Sequence, residues 1–94
     1  NATSEHFGDD PLKIVIIAFY EVPKSVSKKR RQEIFDNGER PTKKPDGDNI
    51  AKVICDALNG IAYKDDAQIV ELHVSKRYTP TAARVGIFIE RVEI

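Results

Sequence analysis

The first strong pattern along the chain is an almost unbroken apolar run from Lys13 to Tyr20, KIVIIAFY. β-Branched and aromatic residues in a run of this length predict a strand buried on both faces. Pro23 closes it, and Ser25 or Ser27 then offers a cap for a short helix over Lys28 to Asp36, with Asn37-Gly38 as its stop. Gly38, Pro41, Pro45 and Gly47 make residues 37–47 a loop. The clearest helix follows, from Asn49 to Leu58, capped by Asp48 and closed by Asn59-Gly60. Its apolar residues Ile50, Val53, Ile54, Ala57 and Leu58 recur at helical spacing on one face, and Asp48, Lys52, Cys55, Asp56 and Asn59 occupy the other. Two strands are expected next, over 67–77 and 84–94, with the Thr79-Pro80 region turning between them. The order β-α-α-β-β predicts an α/β (α+β) fold, a small mixed β-sheet with two helices packed against it.

Residues 1–10 carry no periodicity and are expected to be a loose terminus; with no methionine anywhere, the natural start is expected elsewhere. At 94 residues the chain reads as one small domain with a limited core, for which oligomerisation is an advantage. Hydrophobic residues at 40% and charged residues at 32% describe a folded, soluble chain and exclude a disordered one. No apolar run approaches the roughly 20 residues that span a bilayer, so no membrane partner is expected. The single cysteine, Cys55, excludes an intramolecular disulfide and a multi-cysteine zinc site, and it suits a reducing cytoplasm.

The formal net charge is zero, which by itself argues against a polyanionic partner. Its distribution argues the other way. Lys24, Lys28, Lys29, Arg30, Arg31, Arg40, Lys43 and Lys44 form a basic block interrupted only by Glu33, Asp36 and Glu39, while acids dominate from Asp46 to Asp66. Binding to a polyanion follows the local field more than the total charge.

The chemistry concentrates at the acidic end. Asp46 and Asp48 lie two residues apart in a loop entering a helix, and alternate positions of an extended segment point the same way. Hard cations such as Mg²⁺ take oxygen ligands and often use only one or two carboxylates, leaving places for water and phosphate. The plainer reading makes Asp48 a helix cap and Asp46 a turn residue. Asp65-Asp66 is a tight turn when taken alone; if the helix packs on the following strand, one of its carboxylates approaches Asp46 and Asp48. Three such carboxylates would repel without a cation between them. Lys52, one turn after Asp48, is either half of an exposed i,i+4 ion pair or a cation set to neutralise charge on a phosphate, and its spacing does not separate the two. His6 and His73 receive no catalytic role, and Cys55 reads as a small half-buried thiol.

The run Lys44-Pro45-Asp46-Gly47-Asp48-Asn49-Ile50-Ala51-Lys52, then Asp56-Ala57-Leu58-Asn59-Gly60 and Asp65-Asp66-Ala67-Gln68-Ile69, resembles the RusA family of Holliday-junction resolvases. Val70, Lys76 and the upstream Pro23-Lys24-Ser25 extend the likeness, which is dense over 44–76 and looser over 13–31. It implies a small homodimeric endodeoxyribonuclease of bacterial or phage origin that depends on Mg²⁺, with Mn²⁺ as an alternative. Such enzymes resolve four-way DNA junctions by paired nicks. By the same resemblance Asp46, Asp48 and Asp66 are metal-binding and catalytic, Asp65 stands second in line, and Lys52 matches an essential lysine. Lys24, Lys28, Lys29, Lys43, Lys44 and Lys76 are the expected contacts to DNA phosphates, which position a substrate without reading its sequence. Family members generally carry a further strand and helix before the segment matching Lys13 to Tyr20, where only about ten residues stand here. The competing expectations are a non-catalytic DNA-binding module using the same basic patch, and an interaction domain whose acids are caps and turns.

Overall fold

A computed structural model describes residues 7–92. Strand β1 (Leu12–Glu21) is central in a three-stranded sheet; β2 (Ile69–Thr79) pairs with it in parallel and β3 (Arg84–Arg91) antiparallel. Between β1 and β2 the chain makes two helices, α1 (Lys28–Asp36) and α2 (Gly47–Leu58). This is the mixed sheet and the β-α-α-β-β order expected from the sequence.

The alternation of β1 decides where the core sits. Leu12, Ile14 and Ile16 are fully buried and Ala18 nearly so, and they cluster with Ile50 and Ala51 of α2 and with Ala62 and Tyr63. The intervening Lys13, Val15, Ile17 and Phe19 are only half-buried. The expectation of burial on both faces therefore needs correcting. Successive side chains of a strand point to opposite faces, and the buried cluster includes a helix on one of them only. On the other, Phe88 of β3, paired with Val15, remains 59% exposed.

α1 begins as expected at Ser27, whose hydroxyl accepts the Arg30 N–H at 3.1 Å, and ends at Asn37 with Gly38 at φ 63°. Ile34 is its one buried residue, so it is anchored lightly. α2 departs from expectation twice. It starts at Gly47, so Asp46 is the N-cap residue and Asp48 lies in the first turn. The apolar pattern begins at Ile50, but a first helical turn needs no buried residue, so the pattern alone places the start too late. Its inner stripe is also rotated: Ile50 and Ala51 are buried, Ile54, Cys55 and Leu58 partly so, whereas Val53 is 67% exposed and Ala57 is exposed. The small Ala51 is taken into the contact with the sheet in place of the larger Val53.

Asp66–Gln68 form a 3₁₀ turn before β2, so that strand starts at Ile69 and runs to Thr79. β3 ends at Arg91, and 93–94 lie outside the described residues. The expected loose terminus is corrected over its last residues. Phe7 packs on the core, and Gln68 Nε2 donates to the carbonyls of Gly8 and Asp10 at 3.0 Å each. Arg91 pairs with Asp10 at 2.6 Å. Residues 1–6, including His6, lie outside the described residues. Among the described residues no helix is long and apolar enough to cross a membrane.

Candidate functional site

Packing α2 against β2 leaves a groove of about 750 Å³ between them. Asp48, Lys52, Cys55 and Asp56 line it from the helix, Asp66 from the 3₁₀ turn, and Val70, Leu72 and Val74 form its apolar wall. The polar helical face read from the sequence thus becomes one side of the groove. Asp48, Lys52 and Asp56 recur every four residues, one turn apart, which stacks them along its length.

Lys52 is exposed and forms no ion pair among the described residues, so the surface Asp48–Lys52 pair is not made. Asp48 is exposed too, and among the described residues its Oδ1 accepts only the neighbouring Asn49 N–H, at 3.0 Å. Asp66 is half-buried, and its Oδ1 accepts the Tyr63 hydroxyl at 2.7 Å. That hydroxyl also lies 3.1 Å from the Cys55 carbonyl, which brings Asp66 beside the C-terminal half of α2. Asp48 lies in the first turn of the same helix. Among the described residues no three acidic, histidine or cysteine side chains are gathered tightly enough to hold an ion. Asp48, Lys52 and Asp66 nevertheless line the same groove.

Asp46 and Asp65 stand differently. Asp46 is exposed at the N-cap, its carboxylate makes no capping bond, and it does not line the groove, although Gly47 beside it does. Asp65 is committed to structure: it accepts the Ala67 N–H at 2.9 Å while Gln68 Oε1 accepts the Asp65 N–H at 3.0 Å. This reciprocal capping box fixes the turn that presents Asp66.

Burial pushes the Tyr63 phenol far above its ordinary value, and the bond to Asp66 adds to the effect. Burial likewise raises the Cys55 thiol, with Asp66 and Asp56 reinforcing and Tyr63 opposing. A thiol held protonated is a weak nucleophile, which agrees with a half-buried structural cysteine. Tyr63 is the residue that sequence reasoning missed. Its only signal was an aromatic three positions before Asp66, and nothing in that spacing shows that the ring is buried with its hydroxyl toward the carboxylate.

The basic residues divide into two groups. Lys24, Lys28 and Lys29 are exposed around the start of α1 and make no ion pair among the described residues. Beside them, Arg30 is neutralised by Glu39 through a bidentate contact at 2.8 and 2.6 Å. The second group gathers at the entry to α2, where the Lys44-Pro45 peptide is cis. Lys43 and Lys76 place their ammonium groups 5.6 and 5.3 Å from the centre of the Tyr20 ring. Lys76 also donates to the Lys43 carbonyl, and Lys44 is exposed. Lys76 therefore braces the loop that carries Lys43 and Lys44.

The family profile described as Endodeoxyribonuclease RusA matches residues 1–90. An uncharacterized protein of Bacillus subtilis (strain 168), YqaN, is 43% identical over 84 residues, covering 87% of this chain and 58% of YqaN. The chain thus spans less than two thirds of that relative's length. No solved structure matches.

Proposed function

The chain belongs to the RusA endodeoxyribonuclease family, and from that membership we propose that it is a Mg²⁺-dependent, structure-selective endodeoxyribonuclease. On this reading it resolves four-way DNA junctions by paired nicks during recombination and repair, in the bacterial cytoplasm, encoded by the bacterium or by a phage. The observation that supports it most is the groove itself, which Asp48, Lys52 and Asp66 all line without an ion pair among them.

The donor set suits a hard cation. Asp48 and Asp66 offer carboxylate oxygens that no cationic side chain among the described residues neutralises, and Mg²⁺ needs only one or two such carboxylates because it keeps several waters. Asp46 is the third ligand in this reading, free of capping duty one residue from the groove. Asp65 serves by fixing the turn, and it joins the metal set only if that capping box opens. A bound Mg²⁺, or Mn²⁺ in its place, supplies a more acidic water and stabilises charge on a phosphodiester oxygen. The side chains do the rest. Lys52 faces the same groove and offsets the extra negative charge that builds on the phosphate as water attacks. Lys43 and Lys44, on the loop that Lys76 braces, take the flanking phosphates, and Lys24, Lys28 and Lys29 extend that contact around the start of α1. Paired nicks in a junction require two grooves, so the active form in this reading is a homodimer.

A non-catalytic DNA-binding module remains the second reading, favoured by the absence of a tight three-carboxylate cluster among the described residues. Cleavage of a synthetic four-way junction, with and without Mg²⁺, separates the two. Symmetric metal-dependent nicks that Asp48→Asn abolishes, with junction binding retained, support the nuclease. Binding without cleavage by the chain and by a version of the length of YqaN would leave only the binding module.

A further inference from the structure

Tyr63 is fully buried in the core, yet its ring carries a polar group that has to be satisfied there. Two acceptors lie within reach: Asp66 Oδ1 at 2.7 Å and the Cys55 carbonyl at 3.1 Å. A phenol has one proton to give. The Cys55 carbonyl already accepts the Asn59 N–H at 2.9 Å, closing the last turn of α2. The carboxylate is the nearer acceptor and the charged one, and a hydrogen bond to an ionised acceptor is about twice as strong as a neutral one. The proton therefore goes to Asp66.

The backbone of Asp66 is held as firmly as its side chain. Asp65 and Gln68 close the capping box around it, and Gln68 is tied in turn to the carbonyls of Gly8 and Asp10. Tyr63 is held from the other side, its carbonyl accepting the Gly60 N–H at 2.8 Å. One oxygen of Asp66 is thus fixed by a rigid buried donor, and among the described residues no hydrogen bond or ion pair is made to the other.

We propose that Tyr63 is a positioning residue for Asp66: its hydroxyl holds Oδ1, fixes the plane of the carboxylate, and leaves Oδ2 for a divalent cation in the groove. This rests on the assignment of Asp66 as a metal ligand. Outer-shell donors of this kind orient a ligand before the ion arrives, and their loss typically lowers metal affinity 10- to 100-fold.

The test is Mn²⁺ binding to the chain without DNA, followed by the electron paramagnetic resonance of the free ion. Tyr63→Phe, Asp66→Asn and the double variant are compared with the unaltered chain, and circular dichroism without metal reports folding. Tyr63→Phe is expected to keep its fold and to weaken binding about 10- to 100-fold. In the Asp66→Asn background the same change should have no further effect, because the carboxylate it acts on is gone. If Asp66→Asn weakens binding but Tyr63→Phe does not, Tyr63 is not a positioning residue and the site assignment stands. An equal loss from Tyr63→Phe in both backgrounds shows a general packing role and also overturns the proposal. No effect of Asp66→Asn removes the metal assignment and the proposal with it. Should Tyr63→Phe fail to fold, 4-aminophenylalanine at position 63 keeps both ring and donor. Binding like that of the unaltered chain then supports the proposal, and loss of binding in a folded protein refutes it.

Discussion

Ile16 and Ile17 are neighbours on the central strand and have the same side chain, so they measure separately what each face of the sheet contributes. Ile16 is fully buried, flanked by Val74 and Ile87, and packed in the cluster that includes Ile50 and Ala51. Ile17 lies between Ser75 and Gly86 and is only half-buried. Burying an isoleucine side chain contributes roughly 1.5–3 kcal/mol. Its replacement by alanine in a closed core adds a cavity term, bringing the loss to about 2–5 kcal/mol. At Ile17 roughly half of the transfer term applies, about 1 kcal/mol, because water fills the space that is vacated. Ile16→Ala should therefore lose at least about twice as much stability as Ile17→Ala. Urea unfolding followed by far-ultraviolet circular dichroism measures both. The total stability of such a domain is about 5–15 kcal/mol, so Ile16→Val, at about 0.5–1.5 kcal/mol, serves if the alanine variant unfolds. Equal losses at the two positions would refute the one-sided core and require a cover on the second face.

Two further outcomes follow from the charged groups. Lys52→Ala should leave the fold within about 0.5 kcal/mol of the unaltered chain, since the lysine is exposed and makes no ion pair among the described residues. It should nevertheless slow junction cleavage by about 10²–10³-fold if its charge acts on the transition state; single-turnover cleavage beside thermal melts checks both. The Arg30–Glu39 contact holds the Glu39 carboxyl below its ordinary value of 4.5, through the side-chain hydrogen bond from Arg30. A group whose pKa is depressed by folding adds stability above its unfolded value and loses it as pH falls through the folded one. The contact should thus contribute fully at neutral pH and fade below about pH 4.5. Glu39→Gln should remove that acid-side decline, as urea midpoints across an acid series would record.

How much of this was legible in the sequence depended on the range of the interactions. Ser27 as a cap, Gly38 as a stop and the element order are local matters, decided by a few adjacent residues, and the chain writes them plainly. The polar face of α2 was also readable, because helical spacing alone puts Asp48, Lys52 and Asp56 together. What fills the space opposite that face is not local. Asp66 reaches the groove only because β2 returns parallel to β1, bringing a turn eighteen residues after Asp48 alongside the helix. The rotation of α2, with Ala51 inward and Val53 outward, was hidden for a similar reason. Periodicity shows that a stripe exists, but the partner surface selects its centre. Tyr63 shows the limit most clearly, since its role depends on where one hydroxyl hydrogen bond goes inside the core.

The N-terminus of α2 carries a conflict between stability and use that can be measured. Asp46 occupies the N-cap with extended backbone at φ −67° and ψ 155°, the conformation in which a short polar side chain normally accepts a first-turn N–H. Its carboxylate makes no such bond. Ser27, in nearly the same backbone conformation at φ −63° and ψ 161°, does make one. A capping side chain is worth about 0.5–2 kcal/mol, so a residue that stands at the cap without capping leaves that stabilisation unused. The proposed ligand role explains the omission, because a carboxylate engaged with its own helix is less available to a cation. Asp46→Ser should then behave unlike most substitutions at a functional helix end. The smaller hydroxyl can cap as it does at Ser27, raising stability by up to about 1 kcal/mol in metal-free urea unfolding. Mn²⁺ binding and junction cleavage should weaken in the same protein. A variant that is more stable and still binds and cuts like the original would show that Asp46 is a cap residue without a metal role, and would leave Asp48 and Asp66 to hold the ion alone.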